Sequence, residues 1–205
     1  MVSINVSKDK DAKTFLVHKE FICYYSLFFD AAFNGQFQEG ATLKLDLPGV
    51  LPAVFDIFVN WLYTQTIAAD TQPESHMSWL IELWILADRL LAPKLQNQVL
   101  VAYDKLRVAL WCRPVIHFVL VYENTVQGSP LRRYITQIAA SGFTVNDELT
   151  GPEGYTKDLL FDMVNFMRTG LREKWVEFSE EELKQFFVEE GEAEESQEER
   201  RVNDK

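Results

Sequence analysis

Hydrophobic positions near the start of the chain recur every second residue. Val2, Ile4 and Val6 alternate with Ser3, Asn5 and Ser7, the period of a strand with one buried face. After a polar loop from Lys8 to Lys13, Phe15 and Val17 alternate with Thr14, Leu16 and His18. A second strand is therefore predicted to pair with the first as a hairpin. The period then changes: Phe21, Tyr25, Phe28, Phe29, Ala32 and Phe33 fall at intervals of three and four. That spacing stacks them on one side of a single helix, ended by Asn34-Gly35. Leu43, Leu45 and Leu47 return to alternation with Thr42, Lys44 and Asp46, giving a third strand closed by Pro48-Gly49.

From Leu51 the helical spacing resumes through Phe55, Phe58, Val59 and Leu62. Pro52 is accommodated in the first turn, where its missing N–H has no helical partner. Leu80, Leu83, Trp84, Ala87 and Leu91 form another stripe, and Pro93 breaks it before a helix through Leu95, Val99, Ala102, Tyr103 and Leu106. Ser129-Pro130 reads as an N-cap followed by proline in the first helical position, opening a helix through Leu131, Ile135 and Ile138. Thr144 to Gly154 is the expected internal loop. A core-type helix follows through Leu159, Leu160, Met163, Val164 and Met167. Ser179 to Glu182 matches a capping box and introduces Leu183, Phe186 and Phe187 on a helix from Ser179 to Val188.

Charge changes the picture mainly at one end. Ten Glu against one Lys in residues 180–199 hold most of the net charge of −11. From Glu189 onward there is no apolar period, so a disordered, self-repelling tail is expected over 189–205. The acid excess and the lack of a basic stripe argue against direct nucleic-acid binding, which needs clustered Lys and Arg. Cys23 and Cys112 are the only cysteines; they form no disulfide framework and read as buried free thiols. No secretory signal is evident. The apolar run Leu106 to Tyr122 contains Arg107, Arg113 and Pro114, short of the roughly 20 clean residues of a membrane span. An intracellular location, cytoplasm or nucleus, is the expectation.

Several separated strings resemble one family. Phe15-Leu16-Val17-His18-Lys19-Glu20, Ser26 with Phe28-Phe29, and Ala32-Phe33 with Gly35 look like the opening of BTB/POZ domains. The likeness continues with Phe55, with Trp61-Leu62-Tyr63-Thr64 before Ile67, and with Leu86-Ala87-Asp88 before Leu95-Gln96. It covers roughly residues 2–105. Tyr122-Glu123-Asn124-Thr125 and Gly128-Ser129-Pro130-Leu131-Arg132 are similar to fungal BTB proteins with a helical C-terminal extension. The resemblance implies an α+β fold, a small sheet flanked by helical hairpins. It divides the chain into a BTB/POZ domain at 1–108, a helical extension at 109–188 and the acidic tail at 189–205. It also implies protein partners: a second copy of the chain, or a cullin-type ubiquitin ligase for which the module is substrate adaptor.

In cullin-binding members a hydrophobic residue, any residue and an acid follow the aromatic helix; Phe37, Gln38 and Glu39 occupy that place. An exposed Phe can anchor in an apolar pocket while the carboxylate fixes register; the competing reading folds Phe37 onto the core. Many members also carry an Asp at the start of the first strand, paired with the basic residue in the position of Lys19. This chain has Met1-Val2-Ser3 there, which counts against a charged recruiting groove. A self-associating scaffold without cullin binding is the competing function. An unrecognised hydrolase or transferase is the remote one.

Little chemistry competes with this. His18, His76 and His117 are widely separated, with no second His or Cys at metal-ligand spacing, and His18 is expected to cap or bond backbone at a strand-helix junction. No nucleophile elbow, phosphate loop or dinucleotide fingerprint appears. No catalytic, metal-binding or cofactor-binding residue is assigned, and no cofactor is expected. Trp175, Phe178 and the apolar residues of the Ser179 helix are read as closing the chain's own core, with a helix that docks into a partner groove as the competing reading.

Overall fold

The computed structural model describes residues 1–8, 10–67, 73–111, 115–141, 155–168 and 178–190. Cys112, the loop Thr144 to Gly154, Trp175 and the tail beyond Glu190 lie outside the described residues. The chain divides into two compact units, Met1–Val99 with Val188–Lys205, and Leu100–Phe187.

In the first unit, β1 (Val2–Lys8) and β2 (Asp11–Val17) form the predicted hairpin, with Val2 opposite Val17 and Ile4 opposite Phe15. The third strand, β3 (Lys44–Pro48), lies on the other side of β1 and runs parallel to it, so the sheet order is β2-β1-β3. Ile4 faces Leu45 and Val6 faces Leu47 across that parallel pair. Because strand side chains alternate, Val2, Ile4, Val6, Phe15, Val17, Leu45 and Leu47 all enter the core. The opposite face is polar: Asn5 donates to Asp46 Oδ1 (2.7 Å) and accepts from Thr14 Oγ1 (2.8 Å), a ladder across all three strands.

The single aromatic helix predicted from Phe21 to Phe33 is two helices, α1 (Lys19–Tyr25) and α2 (Leu27–Asn34). Ser26 is extended between them (φ −142°, ψ 112°). Its buried hydroxyl accepts from Phe29 N–H (3.3 Å), capping α2, and donates to the carbonyl of Leu90 (2.6 Å). The break also divides the apolar stripe. Phe29 and Phe33 are in the core, while Phe21 is exposed. A short helix unmarked by any apolar period, α3 (Gln38–Thr42), then leads into β3.

Helix α4 (Pro52–Thr64) opens with proline as predicted, and Phe55, Phe58 and Trp61 are fully buried along it. Phe55 meets Phe15 edge-on at 4.8 Å between ring centroids, seating α4 under the sheet. The Trp61 indole donates to Gln98 Oε1 (2.7 Å), which satisfies its one polar atom. Helix α5 (Pro73–Arg89) buries Leu80, Leu83, Trp84 and Ala87, and α6 (Pro93–Ala109) follows a turn in which Leu91 is exposed at positive φ.

The second unit contains α7 (Val115–Asn124), α8 (Pro130–Ser141), α9 (Lys157–Arg168) and α10 (Glu180–Leu183). Helix α8 is buried nearly all round. Ser129 precedes it as predicted, but its hydroxyl is buried with no hydrogen-bond partner, so it is not the capping group. On α9, Leu159 and Met163 are core, whereas Leu160 and Val164 are exposed, a narrower apolar face than the sequence pattern gives. The capping box at Ser179 is formed in both directions, and the helix it opens passes into a 3-10 turn (Lys184–Phe186). Leu183 and Phe186 are buried, with Phe186 against Tyr134 and Phe178 at 5.5 and 5.3 Å. These aromatics do close the unit's own core.

Two strings singled out in the sequence meet here. Arg132 donates to the carbonyls of Tyr122 (2.6 Å) and Thr125 at the end of α7, and its guanidinium lies 4.6 Å from the Tyr122 ring. Asp104 and Arg107 of α6 form a buried ion pair at 2.8 Å, and Tyr134 of α8 donates its hydroxyl to the same Asp104 oxygen at 2.7 Å.

Candidate functional site

The segment from α2 to β3 displays Phe37, Gln38 and Glu39. Helix α2 ends when Gly35 N–H bonds the carbonyl of Ala31 (3.0 Å). A Cβ at position 35 would collide with that same carbonyl and press on the Phe37 ring, so only glycine lets the chain turn this closely. At Gly40, in α3, a Cβ would sit 3.1 Å from the Phe33 carbonyl, a tight contact rather than a collision. The Lys19 ammonium, which has no acid in β1 to pair with, donates to that carbonyl (2.9 Å).

Phe37 is the N-cap residue of α3 and is extended (φ −87°, ψ 161°). Its carbonyl accepts from Gly40 N–H (3.1 Å), and the carbonyl of Glu39 accepts from Leu43 N–H (2.8 Å). Leu43 closes α3 in the left-handed region at φ 56°, a conformation that disfavours a branched side chain and is held only where surroundings over-determine it. Here they do, because the Leu43 carbonyl accepts from Ser3 N–H (2.9 Å), the entry to the parallel β1–β3 pairing. The turn is thus fixed at both ends by backbone bonds.

On this rigid base Phe37 is 62% exposed. Gln38 is exposed and Glu39 is half-buried. The reading in which Phe37 folds onto the core does not hold. The ring lies outside, open to solvent.

Elsewhere, His18, His117 and Cys23 have partners within the fold. His18 Nδ1 is 2.9 Å from the Tyr63 hydroxyl, which also accepts from His18 N–H (3.1 Å). The expected bond from imidazole to backbone is replaced by a phenol that serves both ring and backbone. Burial holds His117 down to about 4, with its Nδ1 2.9 Å from the Tyr103 hydroxyl. Cys23 is a buried free thiol pushed up to about 11, by burial first and by Asp30 second; a thiol so held is a poor nucleophile. Among the described residues no group of three His, Cys, Asp or Glu side chains could hold a metal, and no helix is long and apolar enough to cross a membrane. A cleft of about 340 Å³ is lined by residues that include Arg132, Thr136 and Asp162.

A family model for the BTB/POZ domain matches residues 2–105. The chain belongs to the BTB/POZ family. The match runs from β1 into α6 and contains the exposed turn. Comparison with curated proteins gives no match. BTB/POZ domains are protein-interaction modules, and this is the function class of the chain. The His18–Tyr63 pair accounts for two strings that resemble the family, since the His before α1 and the Tyr near the end of α4 hold each other. The glycines at 35 and 40 and the left-handed Leu43 went unread in the sequence as parts of the site. The dipeptide Asn34-Gly35 gave the helix end but not the close approach behind it.

Proposed function

We propose that this BTB/POZ module is a substrate adaptor for a cullin-type ubiquitin ligase, gripping the cullin through Phe37, Gln38 and Glu39. In this reading the helical region after Leu106 presents the substrate, and the work belongs to the cytoplasm or nucleus. The observation that carries it is the 62% exposure of Phe37 on a turn whose backbone is already fixed. Moving a phenylalanine side chain from water into an apolar pocket is worth about 1.5–3 kcal/mol, and a preformed turn loses little freedom on binding. Glu39 adds register and discrimination against acidic partners more than affinity.

Leu16, Phe21 and Leu27 are also exposed, and Phe21 packs on Tyr63 at 5.0 Å between ring centroids. These exposed apolar side chains favour a second reading in which copies of the module self-associate. Pull-down on a cullin N-terminal region, with light scattering alongside, separates the two. The adaptor reading expects wild type to be captured and the Phe37→Asp, Glu39→Lys double variant to be lost, with fold and oligomer size unchanged. Wild type that never binds sinks that reading, and a dimer in light scattering would then leave the self-associating scaffold.

A further inference from the structure

Within the first unit, the side chain of Asn97 on α6 is 5% exposed and is bonded to the segment that follows the 3-10 turn. Asn97 Oδ1 accepts from Val188 N–H (2.8 Å), and Asn97 Nδ2 donates to the carbonyl of the same residue (3.0 Å). A residue's own N–H and C=O point the same way only when the backbone is extended, and a neighbouring strand normally supplies both partners. Here one carboxamide supplies them. The second Nδ2 hydrogen goes to Glu190 Oε1 (2.6 Å), so both donors of the amide are used.

This arrangement states its own selectivity. The two main-chain bonds require an extended segment and are indifferent to side chains. The third requires an acceptor two residues on, and in an extended segment that residue lies on the same side as the first. Val188 is half-buried, Glu189 and Glu190 are exposed, and of the two acids it is Glu190 that provides the acceptor. The pattern recognised is an aliphatic residue, any residue, then glutamate.

We infer that Asn97 is a peptide clamp whose resident occupant is the chain's own Val188–Glu190. The same clamp takes an extended aliphatic-any-glutamate segment from a partner protein when the resident is displaced. A tethered occupant competes at an effective concentration of about a millimolar, so the partner segment must be tight or abundant, and the resident works as a built-in threshold. The docking turn at Phe37 has no part in this site, and the inference stands independently of the cullin reading.

The test uses the full chain and a fluorescein-labelled peptide with the sequence of residues 187–192, followed by fluorescence anisotropy. Val188→Pro removes the N–H that Asn97 binds and opens the clamp. The peptide is expected to bind this variant at least about tenfold more tightly than wild type, and Asn97→Ala added to it abolishes the gain. Equal binding to wild type and Val188→Pro, or binding unaffected by Asn97→Ala, overturns the inference. A measurement that needs no variant is hydrogen exchange at the Val188 amide in wild type. Millimolar unlabelled peptide should accelerate it, and the same peptide with its Val and second Glu changed to Ala should not. Unchanged exchange overturns the inference, as does a wild-type dimer that Asn97→Ala dissolves, since the clamp would then be held by a second copy.

Discussion

The buried pair of the second unit gives the sharpest stability prediction. Asp104 and Arg107 have side-chain exposures of 4% and 2%, and Asp104 Oδ1 accepts from Arg107 Nη2 (2.8 Å), Arg107 Nε (3.1 Å) and Tyr134 Oη (2.7 Å). Asp104→Asn keeps shape and an acceptor oxygen but removes the charge, so the buried guanidinium loses this carboxylate. Breaking such a pair from one side costs about 3–5 kcal/mol, a large part of the roughly 5–15 kcal/mol that holds a domain together. Replacing both partners by apolar residues of similar volume removes the buried charge altogether and is often close to neutral. Asp104→Leu with Arg107→Met, made in a Tyr134→Phe background so that no buried hydroxyl loses its acceptor, should therefore regain at least about 2 kcal/mol over Asp104→Asn. Urea unfolding followed by circular dichroism measures both, and hydrogen exchange over residues 100–141 assigns the loss to this unit. An Asp104→Asn chain within about 1 kcal/mol of wild type, or a combined variant as weak as the single one, would falsify the account.

Three further outcomes are expected. Ser26→Ala removes the cap of α2 and leaves the Leu90 carbonyl with only the 3.5 Å approach of Phe28 N–H; it should cost about 1–3 kcal/mol in urea unfolding, and a loss below about 0.5 kcal/mol would contradict it. His117 titrates near 4 when folded against 6.5 for the free side chain. The unfolded chain therefore binds the extra proton, and stability is full above pH 6.5 and is lost as the pH falls toward 4. The loss should be on the order of 3 kcal/mol, flattened in His117→Gln, and a pH series of melting curves with the same slope in both chains would refute it. Gly35→Ala forces a Cβ onto the Ala31 carbonyl and the Phe37 ring; it should cost about 1–3 kcal/mol with chemical-shift changes centred on residues 31–42, and a neutral variant would mean the turn can relax.

Much of the fold could be read directly, and the failures have local physical reasons. Strands β1 and β2 and helix α4 follow their periods because each has one face on a common core and no competing bond. The α1–α2 break was hidden because the aromatic spacing continues across Ser26, whose other partner, the Leu90 carbonyl, is 64 residues away. The β1–β3 pairing is likewise non-local, and alternation in Leu43, Leu45 and Leu47 cannot say which strand lies alongside or in which direction. Ser129 has the sequence of a cap, yet its hydroxyl is enclosed before reaching one. At the candidate site, the family resemblance pointed to Phe37–Glu39, but the exposure of the Phe37 ring follows from backbone bonds and missing Cβ atoms that no hydrophobic pattern records. Asn97 is one polar residue on a helix, and only the returning chain gives it a role.

Position within the crossover gives the Phe37 turn a further property. It lies on the connection between two parallel strands and runs straight through Leu43 into the bond with Ser3. Only after the remote strands have found each other is the turn pinned in the shape that presents its ring. A partner that grips Phe37 in this geometry would read more than a short string of residues: it would tell a finished sheet from an unfinished one and pass over immature copies bearing the same sequence.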